Sequence, residues 1–168
     1  FALPKRTEAA GNTCQSEASG NWNNEATWTD ASCGVGGVPG IDDNAVINNT
    51  HTVTMTGAVA LGTGSVTVNV GGILTTSNNS LSFTNMSLSG TLNAGSSVIT
   101  VGGNWDSSAG TFTYGTSTVT MTATGGNKTL TTPTSGSSYT SRFYNLTISS
   151  GANKVSFNTG TSIAPSHA

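Results

Sequence analysis

The residues able to do chemistry are few and lie mostly near the N-terminus of this chain. After Asp43 only four charged side chains occur in the 168 residues, and they are scattered: Asp106, Lys128, Arg142 and Lys154. Most catalytic mechanisms use clustered ionisable groups. The sequence therefore predicts a protein that is not an enzyme and that uses no cofactor.

Cys14 and Cys33 are the only cysteines. No CxxC motif or cluster of histidine and aspartate accompanies them, so a metal site is disfavoured. In an oxidising compartment they would form a disulfide, which closes a loop and contributes about 3 kcal/mol. Two buried free thiols are the alternative.

The acidic pair Asp42 and Asp43, with Asn44 and Asp30, has the oxygen atoms that Ca²⁺ prefers. Such a site needs about six to eight oxygens, and no repeat supplies them, so capping of a turn is favoured. His51 has no acidic or nucleophilic partner at a recognisable spacing and is interpreted as a strand residue. His167 is assigned to a C-terminal tail, and no metal site is predicted.

The three tryptophans have two possible roles. Trp22 and Trp28 lie in a Gly- and Pro-rich segment, where large rings can close one end of a hydrophobic core. Stacking of these rings on a sugar is the alternative. Trp105 follows Gly-Gly-Asn and is a candidate for an exposed corner. From there it could contact a ligand such as a surface glycan.

Short alternating strands dominate the chain, and no helical periodicity occurs. Examples are Val66–Val70, Leu81–Phe83, Met86–Leu88 and Val155–Phe157. Similar phrases recur: residues 97–101 and 117–121 resemble 65–68, and residues 90–93 resemble 110–113. Taking Val66, Leu81, Val98 and Val119 as equivalent gives steps of 15, 17 and 21 residues. Steps near 20 residues fit the coil of a solenoid. We predict an all-β parallel β-helix of about five coils, with a β-sandwich or jelly roll as the alternative.

One structural domain is expected, with an arm at 1–19, a cap and first coil at 20–59, and further coils and a tail at 60–168. Stacked coils place like residues above like, so Thr, Ser and Asn can form hydrogen-bonded ladders outside the core. With a net charge of −2, the chain has no positive electrostatic field that would bind nucleic acid. No apolar run is long enough for a membrane span.

The segment from Gly20 to Thr54 resembles the opening coil of β-helical bacterial and archaeal surface proteins. The matching residues are Gly20-Asn21-Trp22, Thr27-Trp28, Val38-Pro39-Gly40, Asp43, Val46-Ile47 and His51-Thr52-Val53-Thr54. Residues 143–148, Phe-Tyr-Asn-Leu-Thr-Ile, resemble a later coil of the same proteins. The resemblance implies an extracellular or cell-surface location and a role in adhesion, matrix or filaments.

The expected function is a secreted structural subunit that assembles head to tail into a fibre, pilus-like filament or surface coat. The residues from Gly160 to Ala168 contain no amphipathic or charged cap, so a neighbouring subunit could cover that end. The arm, which contains Lys5-Arg6, could reach the same neighbour. An adhesin or carbohydrate-binding module and a viral spike or decoration protein are the alternatives.

N-glycosylation sequons occur about as often as this composition predicts by chance. If the chain is secreted by a cell that glycosylates asparagine, the exposed sequons can be modified. They lie at Asn48, Asn78, Asn85, Asn127 and Asn145.

Overall fold

Seventeen short strands and one 3₁₀ turn make up the computed structural model, which describes residues 11–28, 33–34, 36–134 and 142–158. The 3₁₀ turn spans Glu25–Thr27. The strands are β1 Thr13–Gln15, β2 Gly20–Asn21, β3 Asn44–Ile47, β4 Thr52–Thr54, β5 Val59–Ala60, β6 Val66–Val68, β7 Ile73–Thr75, β8 Leu81–Phe83, β9 Met86–Leu88, β10 Thr91–Asn93, β11 Val98–Val101, β12 Trp105–Asp106, β13 Thr111–Thr113, β14 Thr118–Met121, β15 Lys128–Thr131, β16 Asn145–Ile148 and β17 Val155–Phe157.

The strands form three sheets that the chain visits in turn. Sheet 1 has the order β1-β3-β6-β9-β12-β15-β17, sheet 2 the order β2-β4-β7-β10-β13, and sheet 3 the order β5-β8-β11-β14-β16. Every pairing between these strands is parallel. This confirms the parallel β-solenoid, and the sandwich alternative is wrong.

The solenoid has about four complete turns, each with one strand in every sheet. They are β3–β5, β6–β8, β9–β11 and β12–β14, and partial turns flank them. The sequence-based estimate of about five coils is therefore about one too high. Within the turns, alternate residues point inward, because successive side chains of a strand lie on opposite faces. In sheet 2 this builds a fully buried column of Val53, Leu74, Leu92 and Phe112.

The predicted stacking of the repeated sequence motifs is correct only in part. Residues 97–101 and 117–121 do stack, since Ile99 pairs with Val119, and residues 90–93 stack on 110–113. Val66, however, lies in sheet 1 and pairs with Met86, so its predicted equivalence with Leu81 is wrong. Leu81 instead pairs with Ile99, one residue beyond the predicted Val98, which points outward. The error arose because all three sheets use the same alternation, so the pattern does not identify the sheet.

Glycine is required in the repeated Gly-Thr motif for a steric reason. A Cβ on Gly90 would collide with the backbone oxygens of Asn69 and Gly72 in the preceding turn. Gly110 is similarly close to the backbone oxygens of Leu88 and Gly90. The corner that leads into sheet 2 is therefore restricted to glycine by the turn stacked beneath it.

Part of the segment predicted as an arm at 1–19 belongs to the solenoid, because Thr13–Gln15 pair with Asn44–Val46 in sheet 1. Lys5-Arg6, Asp30 and the tail from Gly160 to Ala168 with His167 lie outside the described residues. The expectations for those residues stay predictions.

Candidate functional site

A cap closes the first turn of the solenoid and is tied to it by a disulfide. Cys14 lies in β1 and is fully buried, and Cys33, in the loop between the 3₁₀ turn and β3, is also buried. Their Cα atoms are 5.2 Å apart. The disulfide prediction is confirmed, and the alternative of two free thiols is wrong.

Asp43 organises the backbone of the cap. Its Oδ1 accepts the N–H of Asn12 at 3.2 Å, and its Oδ2 accepts the N–H groups of Gly34 at 3.1 Å and Gly40 at 3.0 Å. The side chain is buried, and hydrogen bonds to a carboxylate are among the stronger ones in proteins. Asp43 thus has the turn-capping role favoured from the sequence.

Asp42 caps a different turn. Its Oδ1 accepts the backbone N–H of Thr63 at 2.9 Å and the Thr63 hydroxyl at 2.8 Å. The two hydrogen bonds from Thr63, of which that from the backbone N–H has the larger effect, hold the pKa of the Asp42 carboxyl below its ordinary value of 3.8.

His51 contacts Ser16, with Nδ1 2.9 Å from the hydroxyl oxygen. Among the residues that the structure describes, no group of three or more His, Cys, Asp and Glu side chains is placed to hold a metal ion.

Trp22 and Trp28 form an aromatic pair inside the cap. Their ring centroids are 5.0 Å apart at an interplanar angle of 68°, an edge-to-face geometry. Both rings are buried, and the Trp28 indole N–H donates to the Trp22 carbonyl at 2.8 Å. The backbone of Trp28 also forms an isolated antiparallel β-bridge with Ser16, the residue that follows β1. The pair therefore packs in the cap rather than presenting a face to a sugar.

Trp105 is not at an exposed corner. It lies in β12, is fully buried, and packs edge-on against Phe112 and Phe143 with centroids 5.0 and 5.5 Å away. Its indole N–H donates to the Ser107 hydroxyl at 3.0 Å. The residue pairs with Met86 in the inward column of sheet 1, and this register directs the ring into the core. The interpretation of Trp105 as a ligand contact is therefore corrected.

Asparagines at the start of sheet 1 strands, or directly before them, form an external ladder. Asn44 Oδ1 accepts the N–H of Ser65 at 2.9 Å, and Asn85 Oδ1 accepts that of Asn104 at 2.9 Å. Asn104 Oδ1 in turn accepts the N–H of Thr129 at 2.9 Å. Each side chain satisfies a backbone donor in the next turn, as expected for stacked polar residues. The recurrence of Asn before an apolar residue was the signal for this ladder in the sequence.

The five sequon asparagines take part in hydrogen bonds between turns. Asn78 Oδ1 accepts the N–H of Ser96, and Asn127 Oδ1 accepts that of Lys154, both at 2.9 Å. Both asparagines are exposed, and their carboxamide nitrogens have no hydrogen bond among the described contacts. The nitrogens of the other three donate to protein oxygens, so Asn78 and Asn127 are the more accessible sequons; the others are Asn48, Asn85 and Asn145.

The two ends of sheet 3 differ. At the first turn, β5 is an edge strand beside a shallow hollow of about 310 Å³, which is lined by residues including Trp22, Val38, Pro39 and Ala60. At the other end β16 is the edge strand. Within the described residues no strand pairs with the outer side of either β5 or β16.

Comparisons with protein-family models, with curated proteins and with solved structures found no match for this chain. In the part of the chain that the structure describes, no helix is long and apolar enough to cross a membrane. The described residues thus form a cap held by a disulfide, a continuous hydrophobic core, hydrogen-bonded outer ladders, and two edge strands of sheet 3 that no further described strand pairs with.

Proposed function

We propose that the protein is a non-enzymatic extracellular structural subunit that polymerises end to end. In this proposal the last turn of one copy, which ends at β16 and β17, contacts the first turn of the next copy beside β5, so that apolar surface at the two unlike ends is covered. The observation that carries it is the unequal burial of two stacked residues: Ile148 in β16 is 41% exposed, whereas Met121, its partner one turn earlier, is fully buried.

The last described strand of sheet 1 supports the same interpretation. Phe157 continues the inward column below Leu130. Leu130 is fully buried, whereas Phe157 is 48% exposed. Covering apolar surface of this kind stabilises an assembly by about 25 cal/mol per Å². Among the described residues no strand pairs with the outer edges of β5 and β16, and a strand of another copy can satisfy their backbone groups.

The first turn offers a complementary surface. Ala60 and Val59 form an edge strand with small side chains beside the hollow described above. Ile41 lies near Gly62, at the same end, and is 62% exposed. A small apolar edge next to a hollow can receive the larger apolar residues of β16, Leu146 and Ile148.

A contact between unlike ends is heterologous, and it repeats indefinitely when the rotation between copies does not close a ring. The near-zero net charge lowers the repulsion between stacked copies. The disulfide supports an oxidising location outside the cytoplasm, and the resemblance to surface proteins agrees with it. The adhesin alternative depended on an exposed Trp105, and no described contact favours the viral alternative.

The test is negative-stain electron microscopy with mass photometry at several protein concentrations. The unmodified protein should form uniform fibres, whereas Ile148→Lys and Ala60→Lys should remain monomeric because each places a charge in the contact. Val98→Lys is the matched control, since Val98 is exposed on the outer face of sheet 3 away from both ends. A monomer at every concentration would overturn the proposal, and fibres in both end variants would place the contact elsewhere.

A further inference from the structure

The outer face of sheet 2 is a regular array dominated by threonine. The outward positions of β4, β7, β10 and β13 form two ranks along the solenoid. Threonine occupies six of these eight positions, and none is charged. We call this surface the threonine face; its ranks are Thr52, Ile73, Thr91 and Thr111, and Thr54, Thr75, Asn93 and Thr113.

The spacing of the face is set by the backbone. Neighbouring strands lie about 4.7–4.9 Å apart, and two outward positions on one strand of a parallel sheet lie about 6.6 Å apart. Threonine is branched at Cβ, so its hydroxyl and methyl groups have few orientations. The array is therefore a two-dimensional lattice of fixed polar and apolar groups rather than a set of mobile side chains.

The hydroxyl groups of this face are largely available. Of the described side-chain hydrogen bonds, only one involves a threonine hydroxyl of the face, where the Asn93 amide donates to Thr75 at 3.4 Å. The other two faces are less regular. Sheet 1 carries Val46 and Asp106 at outward positions, and sheet 3 begins with Ala60 and includes the exposed Val98.

We propose that the threonine face binds ice. Water oxygens on the prism planes of hexagonal ice form a rectangular array whose shorter repeat is close to the strand spacing of the face and whose longer repeat is somewhat larger than the spacing along each strand. The face is uncharged, as is the lattice it would contact, and its methyl groups add apolar area that favours release of disordered water. Planes of crystalline polysaccharide are also periodic, but sugars are usually recognised by stacking on aromatic rings, and none of the eight positions is aromatic.

The test measures partition of the full chain into slowly growing ice and its inhibition of ice recrystallisation. The unmodified protein should be incorporated into the ice and should keep the crystals small. Thr75→Tyr should lose both properties, because a large ring interrupts the centre of the array. Thr100→Tyr is the matched control: Thr100 is a half-buried, outward residue in the middle strand of sheet 3, and its substitution should leave both properties unchanged.

A gain-of-function variant separates ice binding from a purely structural role. Ile73→Thr with Asn93→Thr completes the array and should inhibit recrystallisation at a lower concentration than the unmodified chain. Circular dichroism and unfolding midpoints must show that the variants are folded. Exclusion of the unmodified protein from ice, equal loss in Thr75→Tyr and Thr100→Tyr, or retention on crystalline cellulose or chitin without any effect on ice would each overturn the proposal.

Discussion

Phe143 packs edge-on against Trp105, with ring centroids 5.5 Å apart and an interplanar angle of 62°. Trp105 belongs to sheet 1, whereas Phe143 precedes β16 of sheet 3. Phe112 of sheet 2 contacts both rings. The three aromatic residues, one from the side of each sheet, therefore pack together in the core of the solenoid. This cluster fills the core near the last complete turn.

Truncation of this cluster should destabilise the fold strongly. Phe143→Ala removes a fully buried ring and leaves a cavity beside Trp105, and such changes cost about 3–5 kcal/mol. Urea unfolding followed by circular dichroism measures the loss. Phe157→Ala, at a half-exposed ring, is the control and should cost clearly less when measured on the monomer. Equal costs for the two variants would contradict the packing described.

Loss of the disulfide should weaken the cap. Cys14 and Cys33 are separated by 19 residues, and closing a loop of that size contributes about 3 kcal/mol in the chain-entropy account. Reductant should lower the unfolding midpoint of the unmodified protein. The double variant Cys14→Ala with Cys33→Ala should unfold at the lower midpoint and show no response to reductant. A response in the double variant would mean that reductant acts on something other than this bond.

The stabilising contribution of Asp42 should depend on pH. Thr63 lowers the pKa of this carboxyl in the folded state, so its contribution is complete above the unfolded pKa and is lost as pH falls through the folded pKa. The free energies of unfolding of the unmodified protein and Asp42→Asn should therefore differ at neutral pH and converge in acid. Denaturant unfolding across this pH range measures the difference.

Thr63→Val separates the two donors to Asp42. It removes the hydroxyl but keeps the backbone N–H, so the pH-dependent difference caused by Asp42→Asn should become smaller in this background without vanishing. A difference that is the same at neutral and acidic pH would show that Asp42 acts through something other than its charge.

Much of the local structure was predictable from sequence. The strands at Leu81–Phe83, Met86–Leu88 and Val155–Phe157 were expected with these bounds, because alternation of apolar and polar residues identifies a strand with one buried face. The sequence does not predict five of the strands: Thr13–Gln15, Gly20–Asn21, Val59–Ala60, Trp105–Asp106 and Lys128–Thr131. Three of them are only two residues long, and the other two are mostly polar, so none has a clear apolar alternation.

The sequence by itself determined the all-β class, the stacking of 97–101 on 117–121 and of 90–93 on 110–113, the disulfide and the outer polar ladders, because each follows from local alternation, spacing or composition. Only the tertiary structure decided which strands share a sheet, since three sheets use the same pattern and their register depends on corner lengths. It also decided that Trp105 is buried and that the threonines of sheet 2 share one outer face. Those facts depend on which side chains meet across turns, and residues about twenty apart are brought together only when the coil closes.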